Sequence, residues 1–260
     1  MVPRAMRLLF FILLLLFGPA AYAAEETRTV PDPLAGAPAP LAEAIRQFGR
    51  EAGRWAYTQH MVIFDRKGRA RDEQLARYDP SQPPDAQWTL LQVDGKPATA
   101  AQVEKHRRDK AKSGGKKQTL GELLEFPQAV LAADSTPAEL IYDVPLRRAE
   151  NFRFPPEKFQ VRVTVDRAAQ TLRAIDVKLR SSLRLVGVVK VKSATVRLVF
   201  TPVLPEYGPA LTELSAEGSG SLLLVPVASR TEARRTDFKR VTPYNERLKV
   251  KLGPLQLLDF

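Results

Sequence analysis

The sequence contains no cysteine and only two histidines, His60 and His106. The first absence excludes disulfides, thiolate metal sites, cysteine nucleophiles and the acylated N-terminal cysteine of a bacterial lipoprotein. The second leaves little for zinc, because the two histidines stand far apart and no His-Glu-x-x-His motif occurs. A phosphate-binding glycine loop and a dinucleotide fingerprint are also missing. No cofactor and no metal are therefore expected. Long hydrophobic runs are equally scarce. The only unbroken one, Leu8 to Phe17, covers about half of the roughly 20 residues needed to cross a bilayer.

That run follows Arg4 and Arg7 and precedes Gly18, Pro19 and the small-x-small site Ala21-Tyr22-Ala23. Together these features predict a cleavable secretory signal over residues 1–23. The expected product crosses the inner membrane and is periplasmic and soluble after signal cleavage. Lys and Arg total 40 against 29 Asp and Glu, a formal net charge of +11, which loss of Arg4 and Arg7 lowers by two. Such a surface favours anionic partners. Export makes these phospholipid headgroups, lipopolysaccharide or acidic envelope proteins, and no nucleic acid.

Residues 24–40, with Pro31, Pro33, Pro38 and Pro40 among small side chains, read as a flexible leader. A single β-rich domain is expected over 41–260, with a helical insert at about 98–132. Leu41, Ile45 and Phe48 keep helical spacing. From Arg54 the period becomes two, with Trp55, Tyr57, Met61 and Ile63 on one face and Thr58 and His60 on the other. Asp65 to Gly68 is a turn, and strands follow at about 72–78 and 87–93, the latter ending in Asp94-Gly95. Capping boxes, Thr99 with Gln102 and Thr119 with Glu122, open two helices.

The second half is strand after strand. Val161, Val163 and Val165 alternate with polar residues, the turn 167–170 follows, and Ile175, Val177 and Leu179 point inward again. Between 183 and 200 the apolar phase slips near Lys192 and Ser193, by a turn or a bulge. Further strands are expected at 222–227, 231–241 and 248–252. Nine to eleven strands in meander order predict a mainly β (α+β) fold, a large curved antiparallel sheet or half-barrel whose concave face is covered by a few helices.

The chemistry-bearing residues argue against an enzyme. In Glu217-Gly218-Ser219-Gly220-Ser221 the glycines stand one residue from Ser219, whereas a nucleophile elbow needs them two away, between strand and helix. These glycines read instead as relief of crowding in a curved strand. His60 is expected as an outward or half-buried strand residue. The densest basic segment, Glu104 to Lys117, has two readings: Lys105, Arg107, Arg108 and Lys110 dock on an anionic surface, or they form a solvated helix end. Trp55, Tyr57, Met61, Phe126, Phe159, Val161, Ile175 and Val177 line a ligand cavity or fill an ordinary core.

The signal segment, N-terminal helix, early strands, helical insert and long meander resemble the periplasmic lipoprotein-carrier superfamily, the outer-membrane lipoprotein carrier and its half-barrel relatives. Locally the resemblance rests on the hairpin Phe159 to Leu179 and on Arg234-Arg235-Thr236-Asp237-Phe238-Lys239-Arg240, which looks like the aromatic-and-basic strand end of that family. It implies a half-barrel holding acyl chains under a lid, hence a periplasmic non-enzymatic binding or carrier protein for an apolar ligand or lipid. No family residue maps onto a particular arginine of this chain. The alternative is an envelope protein-protein interaction module, a stress sensor or assembly factor, with a basic docking surface.

Overall fold

The computed structural model describes residues 32–113, 120–148, 155–185, 189–222 and 225–247. The expected signal segment and the strand expected at 248–252 lie outside the described residues. Helix α1 (Ala39–Glu51) opens the fold with a proline in its first turn, where the missing N–H costs nothing. Strands β1 (Trp55–Phe64), β2 (Ala70–Tyr78), β3 (Trp88–Val93) and β4 (Lys96–Pro97) follow. Helices α2 (Ala100–Ser113) and α3 (Leu120–Leu123) come next, then a 3-10 turn (Phe126–Gln128). The chain continues through β5 (Val130–Leu131), β6 (Glu139–Asp143), β7 (Phe159–Asp166), β8 (Leu172–Leu179), β9 (Leu183–Leu185), β10 (Val189–Thr201), β11 (Ala210–Leu222) and β12 (Val225–Arg240). The short helix α4 (Tyr244–Arg247) is the last described element.

The twelve strands form one open antiparallel sheet in the order β4-β3-β2-β1-β12-β11-β10-β8-β7-β6-β5, with β9 also beside β10. The fold is mainly β, as the alternation predicts. One pairing is far from local: β1 lies beside β12, with Trp55 opposite Arg240 and Phe64 opposite Arg230. Among the described residues no helix is long and apolar enough to cross a membrane.

Local signals build the hairpins. Asp65 accepts hydrogen bonds from the Lys67 and Arg69 amides, and Gly68 takes φ +75°. Asp94 and Gly95 both adopt positive φ, the geometry of a two-residue turn matched to strand twist. At Thr99 the capping box forms: the Thr99 N–H donates to Gln102 Oε1 at 2.8 Å and the Gln102 N–H to Thr99 Oγ1 at 3.4 Å. The second box cannot be followed, because Thr119 lies outside the described residues.

The main core sits between α1 and the inward face of β6, β7, β8, β10 and β11. Leu41, Ala42, Ala44 and Ile45 bury the inner stripe of α1, and Phe48 meets Phe200 edge-on with centroids 5.2 Å apart. Each fully buried large apolar side chain contributes about 1.5–3 kcal/mol relative to exposure, so this stripe holds α1 on the sheet.

Three expectations need correction. The reading of 24–40 as a flexible leader fails from Asp32 onward: Leu34 is buried in the core, its N–H donates to Asp32 Oδ1, and the helix begins at Ala39, ahead of Leu41. The strands expected at 222–227 and 231–241 are not separate, because 225–240 is one continuous strand and Leu222 ends β11. The strands β6 and β11 were not anticipated from the sequence. β11 carries Glu213, Ser215, Glu217 and the four small residues 218–221 after them, a composition poor in strand formers, and it is held by pairing on both sides. The phase slip near Lys192 is a β-bulge within β10, between Val191 and Ser193.

Candidate binding site

At the end of the sheet where β3, β2, β1 and β12 run side by side, the inward face carries aromatic rings. Alternation along β1 puts Trp55 and Tyr57 there, and antiparallel register sets Tyr78 opposite Tyr57 and Trp88 opposite Tyr78. On β12 the phase must change for Phe238 to join them. Asp237 and Phe238 together oppose Tyr57, a two-against-one bulge with Asp237 at φ +52°. The Arg77 guanidinium donates to the Asp237 carbonyl at 2.9 Å and to Thr58 Oγ1 at 3.2 Å, which holds the bulge from the outer face. Arg235 stands on the inward side before the bulge, and Phe238 and Arg240 stand there after it.

The rings form a connected wall. Centroid separations are 5.1 Å for Tyr57–Tyr78, 4.9 Å for Tyr78–Trp88, 5.8 Å for Tyr57–Phe238 and 6.1 Å for Trp55–Phe238. Tyr207 extends it, 5.8 Å from Trp55. Three cations lie on ring faces: Arg235 over Tyr57 at 4.4 Å, Arg240 over Tyr207 at 4.0 Å and Lys110 over Trp88 at 4.2 Å. Arg240 is fixed by a forked pair of hydrogen bonds to Glu51, both 3.1 Å.

Buried polar atoms normally have partners. Here Trp55 Nε1, Tyr57 Oη and His106 Nε2 are buried and have none among the described residues. Burial pushes the Tyr57 phenol above its ordinary pKa, against the opposing pull of Arg235. Tyr78 is pushed up by burial and then by Tyr57. Both hydroxyls therefore stay protonated donors at neutral pH.

Helix α2 packs on β3 at this end, with Val103, His106 and Lys110 on its less exposed side. The His106 ring meets Trp88 at 6.4 Å. Burial, and next the charge of Lys110, lowers the His106 pKa from 6.5 to about 4, with Asp109 opposing and Lys105 assisting. The folded protein thus binds this proton less readily than the unfolded chain. The contribution of neutral His106 to α2 docking is full above about pH 6.5 and is lost as pH falls toward about 4. Hydrogen-exchange protection of residues 100–111 should accordingly weaken from pH 7 to pH 4 in the native protein and stay flat in His106→Gln. Identical pH profiles for the two proteins would contradict this.

The eight residues predicted from sequence do not gather in one place. Trp55 and Tyr57 belong to the aromatic wall. Phe126, Val161, Ile175 and Val177 are buried in the main core, and Met61 and Phe159 pack against it. Sequence reasoning missed Tyr78, Trp88, Phe238, Tyr207 and Arg235. Tyr78 and Trp88 sat at the ends of recognised strands, where register would have joined them, but the bulge that turns Phe238 inward leaves no mark in the period.

The basic segment is partly neutralised by its own helix and neighbour loop. Arg107 pairs with Glu104 at 3.0 Å and Asp85 at 3.6 Å, Arg108 with Glu104 at 3.6 Å, and Lys105 with Asp109 at 3.9 Å. These exposed pairs are worth little each. His60 is half-exposed and bonded to Glu73 at 2.6 Å. Ser219 lies mid-strand, its hydroxyl 2.7 Å from that of Ser193 on β10. Among the described residues no three His, Asp or Glu side chains gather as metal ligands. Comparison with protein-family models, with curated proteins and with solved structures finds no match to this chain.

Proposed function

We propose that this chain is an exported, non-enzymatic binding or carrier protein that holds an apolar, lipid-like ligand against the aromatic end of its sheet, beside α2. The observation carrying this reading is the pairing of an aromatic wall with buried donors, Trp55 Nε1–H and Tyr57 Oη–H, that no acceptor among the described residues satisfies. A site that is mostly apolar with a few placed polar groups is how proteins bind small molecules. Each ligand CH2 buried there contributes about 0.8 kcal/mol. Export to the periplasm is supported by the Arg4-to-Ala23 pattern, and the basic balance of the chain suits an anionic membrane as the place of exchange.

The chain has only two tryptophans, and both stand in this wall. A fatty acid brominated at mid-chain should therefore quench most of the intrinsic tryptophan fluorescence on binding. Native mass spectrometry of the protein from its producing cells should show a chain beginning at Ala24 and carrying a lipid-sized adduct. Absence of both quenching and adduct removes the carrier reading, and a chain retaining Met1 removes export. A second reading, an envelope interaction module, is favoured by the open sheet edge at β5, where Val130 and Leu131 are 66% and 52% exposed. It predicts a bound protein partner lost on Val130→Lys.

A further inference from the structure

Resting on the carrier reading, we infer that the ligand has an oxyanion head, carboxylate or phosphate, and that Arg235 receives it, with the Tyr57 hydroxyl as the second donor. Strand β12 carries four arginines, and their partners differ. Arg230 pairs with Glu232 at 3.3 Å, Arg234 with Glu213 at 3.1 Å and Arg240 with Glu51 at 3.1 Å. Arg235 alone has no carboxylate among the described residues. Its Nε donates to the neutral amide of Gln59 at 3.2 Å.

Its position makes this notable. Arg230 and Arg234 project from exposed positions, whereas Arg235 is half-buried on the inward face, its guanidinium 4.4 Å from the centre of the Tyr57 ring. A cation withdrawn from water without a counter-charge loses solvation that the Gln59 dipole and the ring quadrupole return only in part. The planar guanidinium keeps its two Nη groups as a fork, the geometry that grips a carboxylate or phosphate through parallel hydrogen bonds. Beneath it, Tyr57 is 3% exposed and its hydroxyl has no acceptor among the described residues. A single oxyanion at this place supplies the missing charge to Arg235 and an acceptor to Tyr57. The apolar tail then runs along the aromatic wall toward Trp88 and Phe238.

The test compares binding of oleate, oleyl phosphate and oleyl alcohol, which share a chain and differ in head, by titration calorimetry. Wild type should bind the better of the two anions about tenfold or more tightly than the alcohol, the scale of a charge-assisted hydrogen bond. Arg235→Gln should remove that preference, bringing the affinity for the anions down to that for the alcohol. Arg235→Lys should keep part of it, and Tyr57→Phe should reduce it. Arg197→Gln, which alters an exposed arginine paired with Asp176 on the opposite face, should keep all of it. Whichever anion wins names the source, a free fatty acid or a phosphate-headed lipid. Equal binding of anions and alcohol by wild type overturns the headgroup inference while the carrier reading stands. Failure of all three to bind overturns both. Melting of the unliganded variants supplies a separate readout: an anion-receiving Arg235 predicts an unchanged or higher midpoint in Arg235→Gln, and a clear drop assigns it a structural role instead.

Discussion

Gly220→Ala is expected to destabilise the protein by about 3 kcal/mol or more, among the largest effects a single methyl group can have. Gly220 of β11 pairs with Val191 of β10, next to the bulge at Lys192. A Cβ built on Gly220 would lie 2.2 Å from the Lys190 carbonyl oxygen and 3.3 Å from the Val191 Cα. Both are backbone atoms of a paired strand, so relief requires the β10–β11 ladder to separate locally. Gly218 is the internal control. Its Cβ would stand 3.6 Å from the Ser193 oxygen, an ordinary contact. Gly218→Ala should change stability by no more than about 1 kcal/mol. Urea denaturation followed by circular dichroism compares them, and equal midpoints for the two variants would refute the close-approach account. The result bears on function as well, since it separates a structural glycine run from the nucleophile geometry that Gly218-Ser219-Gly220 superficially suggests.

Phe126→Ala should cost about 3–5 kcal/mol, the usual range for deleting a buried aromatic side chain and leaving the space behind it. Phe126 is 0% exposed and packs in the main core with Leu34, Leu41, Leu123 and Leu124. The backbone around it is pinned by its 3-10 turn, in which the Ala129 N–H donates to the Phe126 carbonyl at 3.0 Å. The neighbouring Val130, 66% exposed on edge strand β5, should tolerate alanine within about 0.5 kcal/mol. Chemical denaturation of both variants checks the contrast. A loss at Phe126 no greater than at Val130 would mean that Phe126 lines an already open space rather than filling a core. In that case the ligand site extends under α1, well beyond the aromatic wall.

Much of the local structure was legible before any coordinates. The hairpin of β7 and β8, the turns at Gly68 and Asp94-Gly95 and the cap at Thr99 follow from backbone chemistry within a few residues, and each appears where that chemistry puts it. The phase slip at Lys192 was legible too, because a bulge shifts the apolar period on its own strand. The bulge at Asp237 was not. Charged residues flank it on both sides, so no apolar period exists there to be shifted. β11 was hidden for a related reason: its small and acidic residues make a poor strand alone, and its neighbours β10 and β12 supply the hydrogen bonds that keep it extended.

The candidate site divides in the same way. Trp55 and Tyr57 could be placed on one face by period two alone, since neighbouring side chains of a strand point to opposite sides. Composition alone determined that this chemistry proceeds without cysteine and with an excess of cations. Tyr78 and Trp88 join them through the pairing of neighbouring strands, but that Phe238 completes the wall, and that Arg235 faces inward while Arg230, Arg234 and Arg240 find carboxylates, was decided only when β1 paired with β12 across most of the chain. Which residues an antiparallel pair brings together depends on register, and a shift of one residue exchanges the two faces. Register between distant strands is chosen by the packing of the whole sheet, so the tertiary structure alone could leave one arginine on an aromatic face with an amide and a ring but, among the described residues, no carboxylate beside it.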